Sequence, residues 1–152
     1  MLLFPALKRV LNNVLILEDD YDFCNNIDSF NIELTRFLTN AADWNVLLLD
    51  VSEHGPPVNI KTTLDDVYIN LWSQSAAAYI MRRLVFKDYL NVLRRTARTI
   101  LKQPSHDFYW NSLKAKYKWY VNKKILGSQR ESYSDIGKKV ANSKKDIDSF
   151  FY

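Results

Sequence analysis

Three consecutive carboxylates, Glu18, Asp19 and Asp20, are the residues of this chain best suited to chemistry. They follow four apolar residues, Val14 to Leu17, without a break. Carboxylates packed this closely repel one another unless a cation or a cationic ligand compensates their charge. The triplet therefore predicts a divalent metal site. A solvated acidic turn after a strand is the alternative that the triplet alone leaves open.

The elements that would position the triplet are two apolar runs. Val14 to Leu17 lacks polar alternation, which is typical of a strand buried on both faces of a parallel sheet. A second run, Trp44 to Leu49, ends in Asp50, which lies 30 residues after Asp20. One β-α-β unit has this length, so the two strands are predicted to be parallel neighbours. Asp50 is then expected at the same sheet edge as the triplet, where ligands bind in open α/β sheets.

Helices are predicted from the spacing of apolar residues. A stripe of apolar side chains predicts a helix over residues 27–38, with Asn26 or Asp28 available as its cap. The clearest helix is predicted over residues 84–102, and its polar face is basic. That face carries Lys87, Asn91, Arg94, Arg95, Arg98 and Lys102. Such a stripe is usually a solvated face, and a contact with an anionic membrane or a polyanion is the alternative.

Further elements are predicted in the second half of the chain. Val67 to Trp72 and Ala76 to Met81 have the composition of strands. A short helix is predicted through Lys114, capped by Ser105 or Asp107. Aromatic and lysine residues then mix between positions 117 and 122, which indicates a stacking platform for bases or sugars, or a half-buried edge strand.

Length and composition indicate one domain over residues 1–152, in which residues 137–152 form a C-terminal tail or a short helix. The 152 residues are 47% hydrophobic and 14% aromatic, which supports a core. The single cysteine, Cys24, excludes an internal disulfide and favours a reducing compartment. No apolar run approaches the ~18 residues of a membrane span. A soluble cytoplasmic protein, in the host cytoplasm if viral, is expected.

The two halves of the chain carry opposite charge. Residues 1–79 hold 4 basic and 11 acidic side chains, whereas residues 80–152 hold 17 basic and 6 acidic ones. This asymmetry is consistent with a metal-binding edge facing an anion-binding one, or with a nucleic-acid contact. No recognition motif accompanies the charge, so no specific nucleic-acid partner is predicted.

Five separated segments together resemble glycosyltransferase family 25, the group of lipooligosaccharide and collagen galactosyltransferases and their relatives in large DNA viruses. Their order and spacing, over most of residues 10–137, carry the resemblance. The segments are Asn13 to Asp20, Trp44 to Leu49, Trp72 to Arg82, Asp107 to Trp110, and Gly127 to Ile136 with its Gln-x-x-x-Tyr-Ser-Asp-Ile pattern. The third segment departs from the family by lacking its threonines and glycine, which removes hydroxyls that would touch the donor.

The resemblance implies an α/β fold of GT-A type, with a mixed, mostly parallel sheet flanked by helices. Family members place about half a domain before the first strand, so an N-terminally incomplete copy of this fold is expected. The implied activity is inverting transfer of a hexose, galactose or glucose, from a nucleotide-sugar donor. The acceptor would be a hydroxyl of a glycan, a lipid-linked molecule or a protein, and the implied cofactor is Mn²⁺ or Mg²⁺.

The resemblance also implies roles for individual residues. Asp20 would be the first metal ligand and Glu18 the second, since a hard cation bridges the oxygens of a diphosphate leaving group. Asp107 would be the catalytic base that takes the proton of the acceptor hydroxyl. The N-cap of the helix over residues 107–114 is the alternative role for Asp107.

Four further positions complete the implied site. Asp19 and Arg130 would bind the donor, whereas Gln129 and Tyr133 would line the sugar or acceptor pocket. The alternative for Tyr133 is that it only holds the C-terminal segment against the core.

Two other functions compete with the transferase. The first is a non-catalytic glycosyltransferase-like module that serves carbohydrate binding or assembly. The second is a receiver-type domain with Asp50 as the phosphoacceptor. Against the receiver, the 30 residues from Asp20 to Asp50 hold one crossover, whereas a receiver needs a further strand and helix there.

Overall fold

The structure is a computed structural model, and it describes residues 11–23, 27–50, 58–72, 77–99, 106–122, 126–130, 132–134 and 139–141. Within these residues the helices are α1 (Ile27–Asn40), α2 (Arg83–Thr99) and α3 (His106–Lys114). The strands are β1 (Asn13–Leu17), β2 (Tyr21–Asp22), β3 (Val46–Leu48), β4 (Val58–Lys61), β5 (Val67–Trp72), β6 (Ala78–Arg82), β7 (Trp119–Asn122), β8 (Ser128–Gln129), β9 (Ser132–Ser134) and β10 (Lys139–Ala141).

The helices lie where the apolar periodicity predicts them. Asp28 lies in the first turn of α1, where a carboxylate interacts favourably with the helix dipole, and Asn26 lies outside the described residues. The end of the second predicted helix, from residue 100 on, also lies outside them. No helix in the described part of the chain is both long enough and apolar enough to cross a bilayer.

Six strands form one mixed sheet in the order β1-β6-β3-β7-β5-β4. The prediction of a mixed α/β fold with helices beside the sheet is confirmed. The prediction that the sheet is mostly parallel is wrong. Among the described strands of this sheet, β3 and β7 are the parallel pair, and the other four neighbouring pairs are antiparallel. A continuous apolar run reports burial on two faces, which a covered antiparallel strand shares with a parallel one.

The first strand is an edge strand of this sheet, not a doubly buried central one. Leu15 and Leu17 are each 38% exposed, whereas Val14 and Ile16 are only partly exposed and pack against the core. The prediction that β1 is buried on both faces is therefore wrong. β6 lies between β1 and β3 and is antiparallel to both. The two strands thus run in the same direction without being neighbours, and their carboxyl ends share one sheet edge, as expected for the triplet and Asp50.

Helices cover both faces of the sheet and produce two apolar cores. On one face, α2 and α3 pack on β3, β6 and β7 through a cluster that contains Tyr79, Phe86, Tyr89, Trp110 and Trp119. On the other face, α1 packs through Phe30 and Phe37, which join a cluster containing Trp44, Leu47, Ile80 and Tyr120. This is a three-layer arrangement in which each amphipathic helix buries its apolar stripe against the sheet.

The aromatic strand β7 is central and buried. All four of its residues are buried between β3 and β5, and the ring of Trp119 meets that of Trp110 edge-on at 5.0 Å. Both interpretations of this stretch, an exposed stacking platform and a half-buried edge strand, are therefore wrong. The aromatic side chains join the sheet to α3, because large rings bury much apolar area in one contact.

Two strands, β4 and β10, were not predicted from the sequence. The strand β4 pairs with β5 and was not predicted, because its residues follow a proline-containing loop and alternate weakly. Residues Lys139–Ala141, expected in a tail or short helix, form β10 and pair with β9. Residues 142–152 lie outside the described part of the chain.

Lys114 is a half-buried amine beside the core that α3 makes with the sheet. Its Nζ donates a hydrogen bond to Oδ1 of the buried Asn70 and lies 5.2 Å from the centre of the Trp119 ring. Burial disfavours the charged form and lowers the pKa of Lys114 to about 7. The protein therefore holds this amine partly neutral near neutral pH, whereas the unfolded chain holds it charged.

We predict that stability rises with pH above neutrality because of Lys114. Between about 7 and the ordinary value of 10.5, the unfolded chain binds more protons at this residue than the folded protein does. The penalty for burying the charge is complete below that interval and disappears as the pH rises through it. Urea unfolding at pH 7, 8 and 9 should show an increasing free energy of unfolding. In Lys114→Met the increase should be smaller; an equal slope in both proteins would contradict the assignment.

Candidate functional site

The acidic triplet forms a turn at the carboxyl end of β1. The backbone N–H of Glu18 donates to the carbonyl of Ala77 at 2.8 Å, which ties the start of the turn to the residue just before β6. The N–H of Tyr21 then donates to the carbonyl of Glu18 at 3.2 Å and closes the turn. The chain continues into β2, which pairs antiparallel with β8 so that Tyr21 lies opposite Gln129. This pairing brings residues 21–22 beside residues 128–129, which are far away in the sequence.

The side chain of Gln129 joins the two carboxylates that were predicted as metal ligands. Its Nε2 donates to Oε2 of Glu18 at 2.6 Å and lies 3.4 Å from Oδ1 of Asp20. All three side chains are half-buried, whereas Asp19 is exposed. Glu18 and Asp20 thus converge on one nitrogen atom, and they are not spread apart into solvent. The structure brings these three predicted site residues together.

Arg130 follows Gln129 and binds the backbone of the same turn. Its N–H donates to the carbonyl of Asp20 at 2.8 Å, and its Nη2 donates to the carbonyl of Asp19 at 3.0 Å. Its Nε lies 3.5 Å from Oδ2 of Asp22, in an ion pair whose side chains are both more than half exposed. An exposed ion pair of this kind stabilises a fold only weakly. The hydrogen bonds to the backbone therefore do more to order the turn, and the guanidinium stays at the surface beside the carboxylate of Asp22.

Gly127 permits the pairing of β2 with β8, and sequence reasoning assigned it no role. A Cβ atom at this position would lie 2.2 Å from Cζ and from Oη of Tyr21, and 2.6 Å from the carbonyl oxygen of Asp22. The buried ring of Tyr21 therefore occupies the space that any other side chain would need. That ring meets Phe23 at 5.3 Å, and Phe23 meets Phe30 of α1 at 4.9 Å. The site is thereby packed against the α1 side of the sheet.

A buried pair of tyrosines lies next to the acidic turn. The hydroxyls of Tyr79 and Tyr89 are 2.6 Å apart in a hydrogen bond. Burial raises the pKa of Tyr79 well above its ordinary value, and Tyr89 and the negative charge of Glu18 raise it further. Tyr79 is therefore a neutral hydrogen-bonding group at all ordinary pH values. No sequence signal separated these two tyrosines from ordinary core residues.

The donor set at the turn fits a metal site that is shared with a substrate. No group of three or more His, Cys, Asp or Glu side chains within the described ranges converges as a metal cage. Two converging carboxylates remain, Glu18 and Asp20. Magnesium and similar hard cations are commonly held by one or two carboxylates together with substrate phosphates and water. The pair therefore suits a cation that arrives with a phosphate-bearing ligand.

Two predicted site residues are described by their backbone positions alone. Asp107 is the second residue of α3, which begins at His106, so the alternative role as the helix N-cap does not match the helix bounds. Tyr133 lies in β9, opposite Val140 of β10. The roles of Asp107 as a base and of Tyr133 in a pocket stay predictions.

No family model matches the chain, and no match is found among curated proteins. The fold and the site define an α/β protein with a six-stranded mixed sheet and an acidic turn at one sheet edge. The receiver alternative does not fit this sheet, because receivers are doubly wound parallel sheets. Assignment of an activity therefore depends on the chemistry of the residues that the fold assembles.

Proposed function

We propose that this protein is a metal-dependent glycosyltransferase of the GT-A type. It would move a hexose, galactose or glucose, from a nucleotide-sugar donor to a hydroxyl acceptor. The observation that carries the proposal is the convergence of Glu18 and Asp20 on the Nε2 atom of Gln129. It supports the proposal because carboxylates held this way form an oxygen donor pair at the end of a strand, where ligands of α/β sheets bind.

The two carboxylates would hold Mn²⁺ or Mg²⁺, with Asp20 as the first ligand and Glu18 as the second. The bound cation would neutralise the negative charge that develops on the diphosphate leaving group. Gln129 now donates to both carboxylates, so its amide would have to turn away or present its oxygen when a cation binds. The half-buried position of the pair strengthens its attraction for a cation relative to a fully solvated pair.

The residues around the pair would bind and orient the donor. Arg130 is exposed, its guanidinium contacts Asp22 and the carbonyl of Asp19 on the same turn, and a guanidinium can donate two parallel hydrogen bonds to a phosphate. Asp19 is exposed at the tip of the turn, where its carboxylate can accept hydrogen bonds from sugar or ribose hydroxyls. Gln129 and Tyr133 would line the sugar or acceptor pocket.

Asp107 would be the general base of an inverting transfer. A carboxylate in this role accepts the proton of the acceptor hydroxyl as that oxygen attacks the anomeric carbon, on the face opposite the leaving group. Asp107 is the second residue of α3, so the backbone of this helix would position its carboxylate.

The test is release of a nucleoside diphosphate from nucleotide sugars. The full chain is incubated with UDP-galactose, UDP-glucose and a panel of other donors, with Mn²⁺, with Mg²⁺, or with EDTA. We expect release from at least one donor that needs the cation, stops with EDTA and returns when Mn²⁺ is added in excess. Failure with every donor, or release that EDTA leaves unchanged, would refute the proposal.

A non-catalytic carbohydrate-binding or assembly module is the second candidate. It is favoured by the Gln129 amide, which satisfies both carboxylates without a cation. Such a module would bind glycans in the presence of EDTA and would consume no donor. Glycan binding measured beside the release assay therefore separates the two candidates.

A further inference from the structure

A polar cavity lies at the opposite end of β1 from the acidic turn. It has a volume of about 670 Å³, and the described residues that line it are Asn12, Asn13, Arg82, Arg83 and Leu84. Asn13 pairs with Arg82 at the amino end of β1, whereas Glu18 follows the carboxyl end of the same strand. A five-residue strand spans roughly 15 Å, so the cavity and the acidic turn are separate places.

Two consecutive arginines, Arg82 and Arg83, are the charged residues among the described residues that line this cavity. Within the described part of the chain, neither Arg82 nor Arg83 forms an ion pair with a carboxylate, and the cavity lining contains no acidic residue. The first turn of α2, which begins at Arg83, is also free of acidic residues. A bound anion would supply the negative charge that the described lining lacks. The amides of Asn12 and Asn13 add neutral donors.

The arginine at the edge of this cavity is held in place before any ligand binds. The guanidinium of Arg82 lies 4.8 Å from the centre of the Trp44 ring, and its Nη1 lies 3.5 Å from the carbonyl oxygen of Ala42. Stacking on an indole restricts a side chain that otherwise has many rotamers. The N–H of Arg83 donates to the carbonyl of Asn12 at 2.8 Å, which fixes the backbone on the other side. Less ordering is then needed when a ligand binds.

We infer that this cavity binds the phosphate group of a phosphorylated ligand, either a free molecule or a lipid headgroup. Two guanidiniums can neutralise the −1.5 to −2 charge of a phosphate monoester near pH 7 and donate paired hydrogen bonds to its oxygens. A carboxylate carries one charge and two oxygens, and so uses the donors less fully. The volume exceeds what one phosphate fills, and Leu84, which is 53% exposed, offers an apolar contact for the organic part.

The first test measures binding of inorganic phosphate to the full chain by isothermal titration calorimetry at low salt. Arg83→Gln and Arg82→Gln/Arg83→Gln are compared with Lys87→Gln, which removes an exposed cation of the same helix outside the cavity. We expect the double variant to bind phosphate at least about tenfold more weakly, and Lys87→Gln to change affinity by less than about twofold. Thermal melts establish that each variant is folded. If loss of the contact between Arg82 and the Trp44 ring unfolds the double variant, the single variant Arg83→Gln is used for the comparison.

The second test distinguishes the two sources of phosphate. Retention of the protein is measured on phosphatidylcholine vesicles with and without phosphatidic acid. Retention that needs phosphatidic acid and both arginines identifies a lipid headgroup, whereas arginine-dependent phosphate binding without such retention identifies a free ligand. The inference is overturned if neither probe binds, if binding persists in the double variant, or if Lys87→Gln weakens it equally. None of these results depends on donor turnover, so the proposed transferase activity stands or falls separately.

Discussion

Replacement of Asp20 by Asn is expected to lower Mn²⁺-dependent release of nucleoside diphosphate by about 10²- to 10³-fold, the range seen when one electrostatic group of an active site is removed. The substitution removes the charge of the first proposed metal ligand. It keeps an oxygen at the position that lies 3.4 Å from Nε2 of Gln129, so the turn should keep its shape. The release assay with saturating Mn²⁺ measures the loss.

Asp65→Asn is the matched control for this experiment. Asp65 is exposed in the turn between β4 and β5, and its replacement changes the net charge by the same amount. We expect this variant to retain wild-type release. Because Glu18 and Asp20 share one amide partner, Glu18→Gln/Asp20→Asn should lose less than the sum of the single losses. If the Asp20→Asn variant is folded and turns over donor at the wild-type rate, Asp20 is not a metal ligand.

Replacement of Gly127 by Ala is expected to lower the free energy of unfolding by about 1–3 kcal/mol, the usual cost of overpacking a filled interior. The added Cβ would lie 2.2 Å from the Tyr21 ring and 2.6 Å from the carbonyl oxygen of Asp22. The backbone oxygen cannot rotate away, so β8 must shift relative to β2. Because Gln129 follows two residues later, its amide should leave the carboxylates and donor turnover should fall as well.

Urea unfolding of a double-mutant cycle tests this steric explanation. The same Gly127→Ala change is made in a Tyr21→Ala background, where the ring no longer occupies the space. We expect the cost of the glycine substitution to be smaller in that background and still measurable, since the contact with Asp22 remains. A change of less than about 0.5 kcal/mol on Gly127→Ala alone would show that the strand pair adapts freely.

The helices of this protein are predictable from the sequence because their signal is local. Apolar residues in α2 recur on one side at helical spacing, and the same side meets the sheet through Val85, Phe86, Tyr89 and Leu90. The strands are predictable in position for a similar reason. Residues 46–48 and 78–81 are runs of mostly apolar residues, and both are buried in strands.

The order of the strands and the antiparallel pairing of most neighbours were not predictable. The apolar run of β1 resembles that of β3, yet β1 lies at an edge with Leu15 and Leu17 exposed. Burial depends on what the rest of the chain places beside a strand, and β6 enters between β1 and β3 from a distant part of the sequence. Tyr120 illustrates the same point, since its mixed aromatic and lysine surroundings indicated a stacking platform or a half-buried edge strand, whereas its side chain is 7% exposed.

The sequence by itself determined the chemical types at the site, because carboxylates directly after an apolar strand are visible as a local pattern. Only the tertiary structure decided that Gln129 donates to Glu18, which lies 111 residues earlier in the chain. The tertiary structure also decided that Gly127 leaves the space that the ring of Tyr21 occupies beside β8. Local periodicity contains no information about such a distance. The antiparallel pairing of β2 with β8, together with the packing of Tyr21, brings these distant residues into contact.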